Sequence, residues 1–219
     1  MPTPTTRGLR RLELSASRPE SAMNFYAELF GWVVIAEPGD AYSGWAGDRL
    51  ATRITPGEDP TWRVTFAAKQ PRVIDAHTDT DAGRPLHGPW APPPRPGEPC
   101  WVELVNPVED DAHWTAELGW TSRTPDEDFT LYDSITPQPR AVTGRLRTDQ
   151  ALPSGWLTYF AVPDLAAALA TANGLGASTV AEPRRVPTGH VAAIAGPDER
   201  ICALLENPAG WGGEHHRVD

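Results

Sequence analysis

The sequence predicts an α+β fold assembled from βαβββ units, four of them in two halves, with the second unit eroded. Three observations carry this. First, the order strand, helix, three strands is legible near the N-terminus and returns further along. Second, like residues recur at similar offsets: Glu13 and Glu103 are 90 positions apart, Leu29 and Leu118 are 89 apart, and Trp62 and Trp156 are 94 apart. Third, Trp62-x-x-x-Phe66-Ala67 and Trp156-x-x-x-Phe160-Ala161 match in kind. A steady internal period marks stacked supersecondary units that bury apolar faces against one another.

The elements follow in order. Arg11 to Ser15 alternates apolar and polar residues, the period of a half-buried strand. Ala22, Phe25, Tyr26, Leu29 and Phe30 then fall on one face of a helix over 19–30. Ser17 with Glu20 has the spacing of a capping box, and Gly31 stops the helix. Strand-like runs follow at 32–36, 41–46 and 50–54. The second unit opens at 61–67, has only a helical stub near 71–77, and ends in a proline- and glycine-rich stretch, 83–97. In the third unit, 101–105 is a strand. Asn106 with Pro107 has the pattern of a helix start, and strands are expected at 129–133 and 141–146. In the fourth, 156–162 is a strand, Asp164 caps a helix with Leu165, Ala168, Leu169 and Ala172 on its apolar face, and strands follow at 178–181, 190–195 and 201–205. The expected halves are 8–95 and 96–208, with a polar tail at 209–219.

Composition narrows the function. The 219 residues are 40% hydrophobic and 22% charged, an ordinary globular balance. A net charge of −10, with Lys69 the single lysine, offers no basic face for nucleic acid. No apolar run is long enough to span a bilayer, and the first residues have no signal-peptide core. A cytoplasmic protein without nucleic-acid or membrane partners is expected. Cys100 and Cys202 sit in apolar strands, as buried thiols do, without metal-site spacing.

The stretch Ser21-Ala-Met-Asn-Phe25-Tyr26-Ala-Glu-Leu29-Phe30-Gly31-Trp32 resembles the first-helix pattern of the vicinal oxygen chelate superfamily, which includes glyoxalase I, the bleomycin-resistance proteins and the extradiol dioxygenases. Trp101 with Glu103 resembles the opening strand of its duplicated members. Residues 156–175, then Val180 to Pro183, Gly189 and Gly196-Pro197-Asp198, resemble their last unit. The likeness spans roughly 8–206. It implies paired βαβββ units forming curved mixed sheets around a cavity, and a monomer or homodimer.

Strand alternation assigns residues to that cavity. Leu12 and Leu14 cover the helix, so Arg11, Glu13 and Ser15 face the other way. Arg63, Trp101, Glu103, Leu157 and Tyr159 hold corresponding positions. Metal-dependent relatives place histidine, glutamine and glutamate on such strands. Here the matching positions are Arg11, Arg63, Trp101, Leu157 and Ala203, which are not ligands for a divalent ion, and a guanidinium repels one. No metal and no cofactor are therefore expected. Of the histidines, His190 alone stands near the fourth unit's cavity; His215 and His216 fall in the tail.

Glu13 and Glu103 are the candidate acid/base residues, because a carboxylate losing hydration has its pKa raised. The alternative reading pairs each with an arginine that merely holds strands together. Tyr159 could donate a proton. Arg11, Arg63, Leu157 and His190 would line the ligand site, and Trp45 and Trp101 would add flat apolar surface. Two functions stay open: a metal-independent isomerase, cyclase or lyase of a kind found in secondary metabolism, or a protein that sequesters an apolar or aromatic ligand as bleomycin-resistance proteins do. Metal-dependent glyoxalase or dioxygenase activity is disfavoured by the ligand set.

Overall fold

The computed structural model describes residues 6–59 and 61–213. The first unit comprises β1 (Leu9–Ala16), α1 (Pro19–Phe30), β2 (Val33–Glu37), β3 (Ala41–Ala46) and β4 (Arg49–Pro56). The second comprises β5 (Trp62–Ala68), β6 (Arg72–Val73) and β7 (Thr78–Ala82). The third comprises β8 (Pro99–Val105), α2 (Asp111–Leu118), β9 (Trp120–Asp126), β10 (Phe129–Ser134) and β11 (Ala141–Leu146). The fourth comprises β12 (Gly155–Val162), α3 (Leu165–Gly174), β13 (Ser178–Val186), β14 (Gly189–Ala195) and β15 (Ile201–Glu206).

The strands form two curved mixed sheets. One has seven strands in the order β2-β3-β4-β1-β5-β7-β6, the other eight in the order β13-β14-β15-β12-β8-β11-β10-β9. Within each unit the first strand pairs in parallel with the last, as β1 does with β4 and β12 with β15. The two units of a sheet join antiparallel through their first strands, β1 with β5 and β8 with β12. A parallel closure needs a crossover, which the helix supplies in three units.

The second unit has no helix among its described residues, correcting the expected stub at 71–77. Only β6 and turns connect β5 to β7. The second sheet covers β5 instead. Phe66 lies edge-on to Trp120 at 5.1 Å and to Trp156 at 5.5 Å, and Trp62 lies 5.8 Å from Phe160. The two sheets therefore pack on each other through their helix-side faces. Tyr26 of α1 joins this seam against Trp32, Trp62 and Phe160. Gly44 is required here: a Cβ on it would stand 2.4 Å from the Trp32 ring.

Other local expectations shift for identifiable reasons. Pro19 begins α1 and biases the residue before it towards extended backbone, so Arg18, not Ser17, is the N-cap, and no side chain caps the helix. In the third unit Asn106 has φ 43° and uses its amide on residue 148, donating to Thr148 O at 2.8 Å and accepting from Thr148 N at 2.9 Å. The helix starts later, with Asp110 accepting from His113 N at 2.9 Å. Strand β9 carries no alternation signal because it is an edge strand with an exposed run. Strand β13 runs past Ala181 to Val186. Pro183 is tolerated there because the strand is an edge and a bulge lies between Ala181 and Arg184.

The stretch 83–98 is ordered by contacts rather than by regular structure. His87 bridges to Leu9, beside β1 where β4 does not reach, and its ring Nε2 lies 2.8 Å from Leu50 O. Fully buried Glu98 pairs with Arg49 at 2.5 Å and Arg95 at 2.8 Å. The expected polar tail is corrected over residues 210–213, which are buried. Trp211 is 2% exposed and its indole donates to Val142 O at 2.8 Å. His215 and His216 lie outside the described residues. No helix among the described residues is long and apolar enough to cross a membrane.

Candidate functional site

Each sheet has an outer face pointing away from the shared seam, and the expected site residues divide between them. On the seven-stranded sheet, Glu13 sits between Arg11 at 3.3 Å and Arg53 at 3.4 Å. Arg53 reaches on to Glu37 at 2.7 Å, and Ser43 also hydrogen-bonds Glu37. Arg63 pairs with Asp79 at 2.6 Å. Beside this lattice Val33 and Ile35 are exposed. Two guanidiniums already occupy the Glu13 carboxylate, the strand-holding arrangement of the alternative reading. Such half-exposed pairs contribute about 0–1 kcal/mol each.

The eight-stranded sheet is different. Glu103 on β8 is only 2% exposed. The Tyr159 hydroxyl, on neighbouring β12, donates to its Oε2 at 2.6 Å, and the Trp101 indole donates to Oε1 at 3.4 Å. Leu157 stands directly opposite Glu103 in the β8–β12 register. On the other side, Gly144 of β11 is opposite, where a Cβ would lie 3.3 Å from Oε1. A cavity of about 150 Å³ opens over the pair, lined by Glu103, Tyr159, Phe129, Leu146, Arg184 and Thr188 among others. The Nε of Arg184 is buried and makes no hydrogen bond among the described residues.

Electrostatics follows from this burial. Loss of hydration pushes the Glu103 carboxyl up from its ordinary value, opposed by the hydrogen bonds from Tyr159 and Trp101 and by the charge of Arg184. Burial, and then the negative charge of Glu103, hold the Tyr159 phenol well above its ordinary value. Tyr159 is therefore a proton-bearing donor across the neutral range.

The other expected residues do not line this cavity. Trp101 is fully buried: its ring centre lies 5.9 Å from that of Trp211, and Gly212 packs against it. It therefore offers no open surface to a ligand, a correction that follows from the folded 210–213 segment. Leu157 is buried and does not line the cavity. His190 is also corrected. Val191 and Ala193 of β14 align with Leu205 and Ala203, and Ala203 with Tyr159, so alternation puts His190 on the opposite face, beside α3. Its ring is 58% exposed, 3.6 Å from Glu206. Trp45 lines a separate cavity of about 650 Å³ between the β3–β4 turn and the 83–98 connector. Glu13 and Glu103 stand on different sheets.

Sequence reasoning missed Arg184, Phe129, Thr188 and Trp211. Arg184 lay beyond the expected end of its strand at Ala181. Phe129 had been placed on a strand but not on a face, and nothing local announces that Trp211 folds back.

Neither outer face fits a divalent metal. Asp126 and Asp128 also line the Glu103 cavity, but no imidazole stands there and the acids do not come together as an ion-holding group, and Glu13 is flanked by arginines. Among the described residues no group of three or more His, Cys, Asp or Glu could hold a metal ion.

Comparison with known proteins agrees with the architecture. No curated protein sequence matches the chain. Solved structures do match, in fold. A Mn(II)-bound glyoxalase from Novosphingobium aromaticivorans superposes with TM-score 0.64 at 12% identity, over 99% of this chain and 87% of the other. 2,2',3-Trihydroxybiphenyl 1,2-dioxygenase from Sphingomonas wittichii RW1 gives 0.57 at 12%, over 91% and 90%. Homoprotocatechuate 2,3-dioxygenase from Brevibacterium fuscum, in complex with 3,4-dihydroxyphenylacetate, gives 0.64 at 11%, over 93% and 81%. The paired βαβββ sheets and a family model matching residues 8–211 lead to one assignment: the chain belongs to the Glyoxalase/Bleomycin resistance protein/Dioxygenase superfamily.

Proposed function

We propose that the protein is a metal-independent acid/base enzyme acting on a small organic molecule in the cavity over Glu103 and Tyr159. The observation that carries this is a buried carboxyl, raised by desolvation and hydrogen-bonded to a phenol, at the wall of a cavity. A carboxyl moved towards neutral pH serves as general base or acid. The cavity's size, about 150 Å³, suits a single ring, since an engineered cavity of about that volume takes benzene. Phe129 and Leu146 would hold the ring. The half-buried Arg184, whose enclosed Nε is unpaired among the described residues, would meet an oxygen that gains negative charge when Glu103 removes a neighbouring proton. Isomerisation or elimination beside a carbonyl begins with that step.

A second reading, sequestration, draws on one feature: both Glu103 oxygens already accept hydrogen bonds, so the cavity could hold a ligand without reacting. Solvent-deuterium exchange into a panel of ring-bearing carbonyl compounds, followed by NMR, separates the two. The enzyme reading expects protein-dependent exchange that falls about 10²-fold or more in Glu103→Gln while binding persists. Binding with no exchange in either protein favours sequestration. Undiminished exchange in Glu103→Gln refutes the role of this carboxyl.

A further inference from the structure

The larger cavity is unrelated to Glu103 and shares no lining residue with its site. It lies where the β3–β4 turn, the start of the chain before β1 and the proline-rich connector meet. At about 650 Å³ it is within the usual range for small-molecule sites. Its chemistry contrasts with the rest of the molecule. The chain carries a net charge of −10, yet three arginines line this cavity, Arg7, Arg49 and Arg84, against one acid, Asp48. Asp48 is already engaged by Arg95 at 2.7 Å. Arg49 is tied to Glu98 and to the connector carbonyls Pro92 O and Pro93 O. Arg7 and Arg84 have no carboxylate partner among the described residues.

Two indoles complete the lining, Trp45 and Trp90. Trp45 is partly buried, and its Nε1–H is enclosed without an acceptor among the described residues. A buried donor left unpaired costs about 1–3 kcal/mol, which an acceptor oxygen on a ligand would relieve. Trp90 is 38% exposed, which is unusual for so large an apolar ring, and it does not hang freely. Arg140 stands 5.8 Å from its ring centre and donates to Pro89 O at 2.6 Å, steadying the segment that presents it.

Flat apolar faces, unpaired guanidiniums and a stranded N–H donor share one complement. We propose that this cavity is a second ligand site, which binds flat aromatic anions such as arene carboxylates or sulfonates. The ring lies against the indoles and the anionic oxygens meet Arg7 and Arg84. Guanidinium groups favour such oxygens because their planar donors match them in pairs.

The probe is 8-anilinonaphthalene-1-sulfonate, titrated into the full chain and read by energy transfer from tryptophan. Saturable binding of one equivalent is expected. In Arg7→Ala/Arg84→Ala, where both side chains are exposed and the fold is spared, the Kd should rise about tenfold, the weight of a charge-assisted contact. Uncharged N-phenyl-1-naphthylamine should bind the native protein about tenfold more weakly than the sulfonate, and should bind both proteins alike. Trp90→Ala should weaken both probes. Glu103→Gln should leave sulfonate binding unchanged, which keeps this test independent of the catalytic reading. An unchanged Kd in the double variant, equal affinity for the neutral probe, or loss of binding in Glu103→Gln would each overturn the proposal.

Discussion

Tyr159→Phe tests whether Glu103 and Tyr159 act as one unit. The substitution keeps the ring and removes only the hydroxyl that donates to Glu103 at 2.6 Å. Both groups are nearly buried, so only water entering through the cavity could replace the lost bond. A hydrogen bond to a charged partner contributes about 1.5–3 kcal/mol, one between neutral groups about 0.5–1.5 kcal/mol. Above the folded carboxyl's titration, where it is ionised, urea unfolding should therefore show a loss of about 1.5–3 kcal/mol at unchanged m-value. In a chain of this length each kcal/mol moves Tm by about 2–4 °C. Below that titration the loss should shrink towards the neutral figure. In a Glu103→Gln background the same substitution should cost only about 0.5–1.5 kcal/mol, since Gln can still accept from the hydroxyl but carries no charge. The cycle should close with a coupling of about 1 kcal/mol. Additivity within about 0.3–0.5 kcal/mol, on both sides of that titration, would refute the pairing.

Three further outcomes follow. Burial holds the folded Glu103 carboxyl above its ordinary value of 4.5, so the folded state keeps a proton that the unfolded chain gives up; stability should decline as pH rises through the folded value, and Glu103→Gln should flatten that decline in chemical-denaturation curves taken across pH. His87 behaves oppositely: burial lowers its imidazole below 6.5, so the stability it contributes is present above 6.5 and lost as pH falls through the folded value, and His87→Gln should remove this acid-side loss from the same curves. Trp211→Ala empties the space beside Trp101 and should cost about 3–5 kcal/mol, with a red shift in tryptophan emission; a loss under about 1 kcal/mol would mean the 210–213 segment is not part of the core.

Much of the candidate site was legible before any coordinates. Alternation in β1 and β8 put Glu13 and Glu103 on the faces turned away from the helices, because side chains in a strand must alternate. It could not say that two arginines flank one carboxylate while a tyrosine and a tryptophan hold the other, since those neighbours come from strands up to 56 residues away. His190 failed for the same kind of reason: its strand was identified, but its face depended on the register with β15.

The sequence by itself determined the repeated strand–helix–strand order, two of the three helix spans to within a residue or two, and the carboxylates worth examining. These are local properties, written in periodicity and in residues that stop or cap an element. Only the tertiary structure decided the rest. The second unit dispenses with a helix because the aromatic seam of the other sheet covers β5. Arg184 reaches the Glu103 cavity because an edge bulge carries β13 past a proline. Trp211 folds back to cover Trp101. Each of these depends on surfaces that meet only after the chain has closed on itself, where burial and pairing between distant segments outweigh local preference.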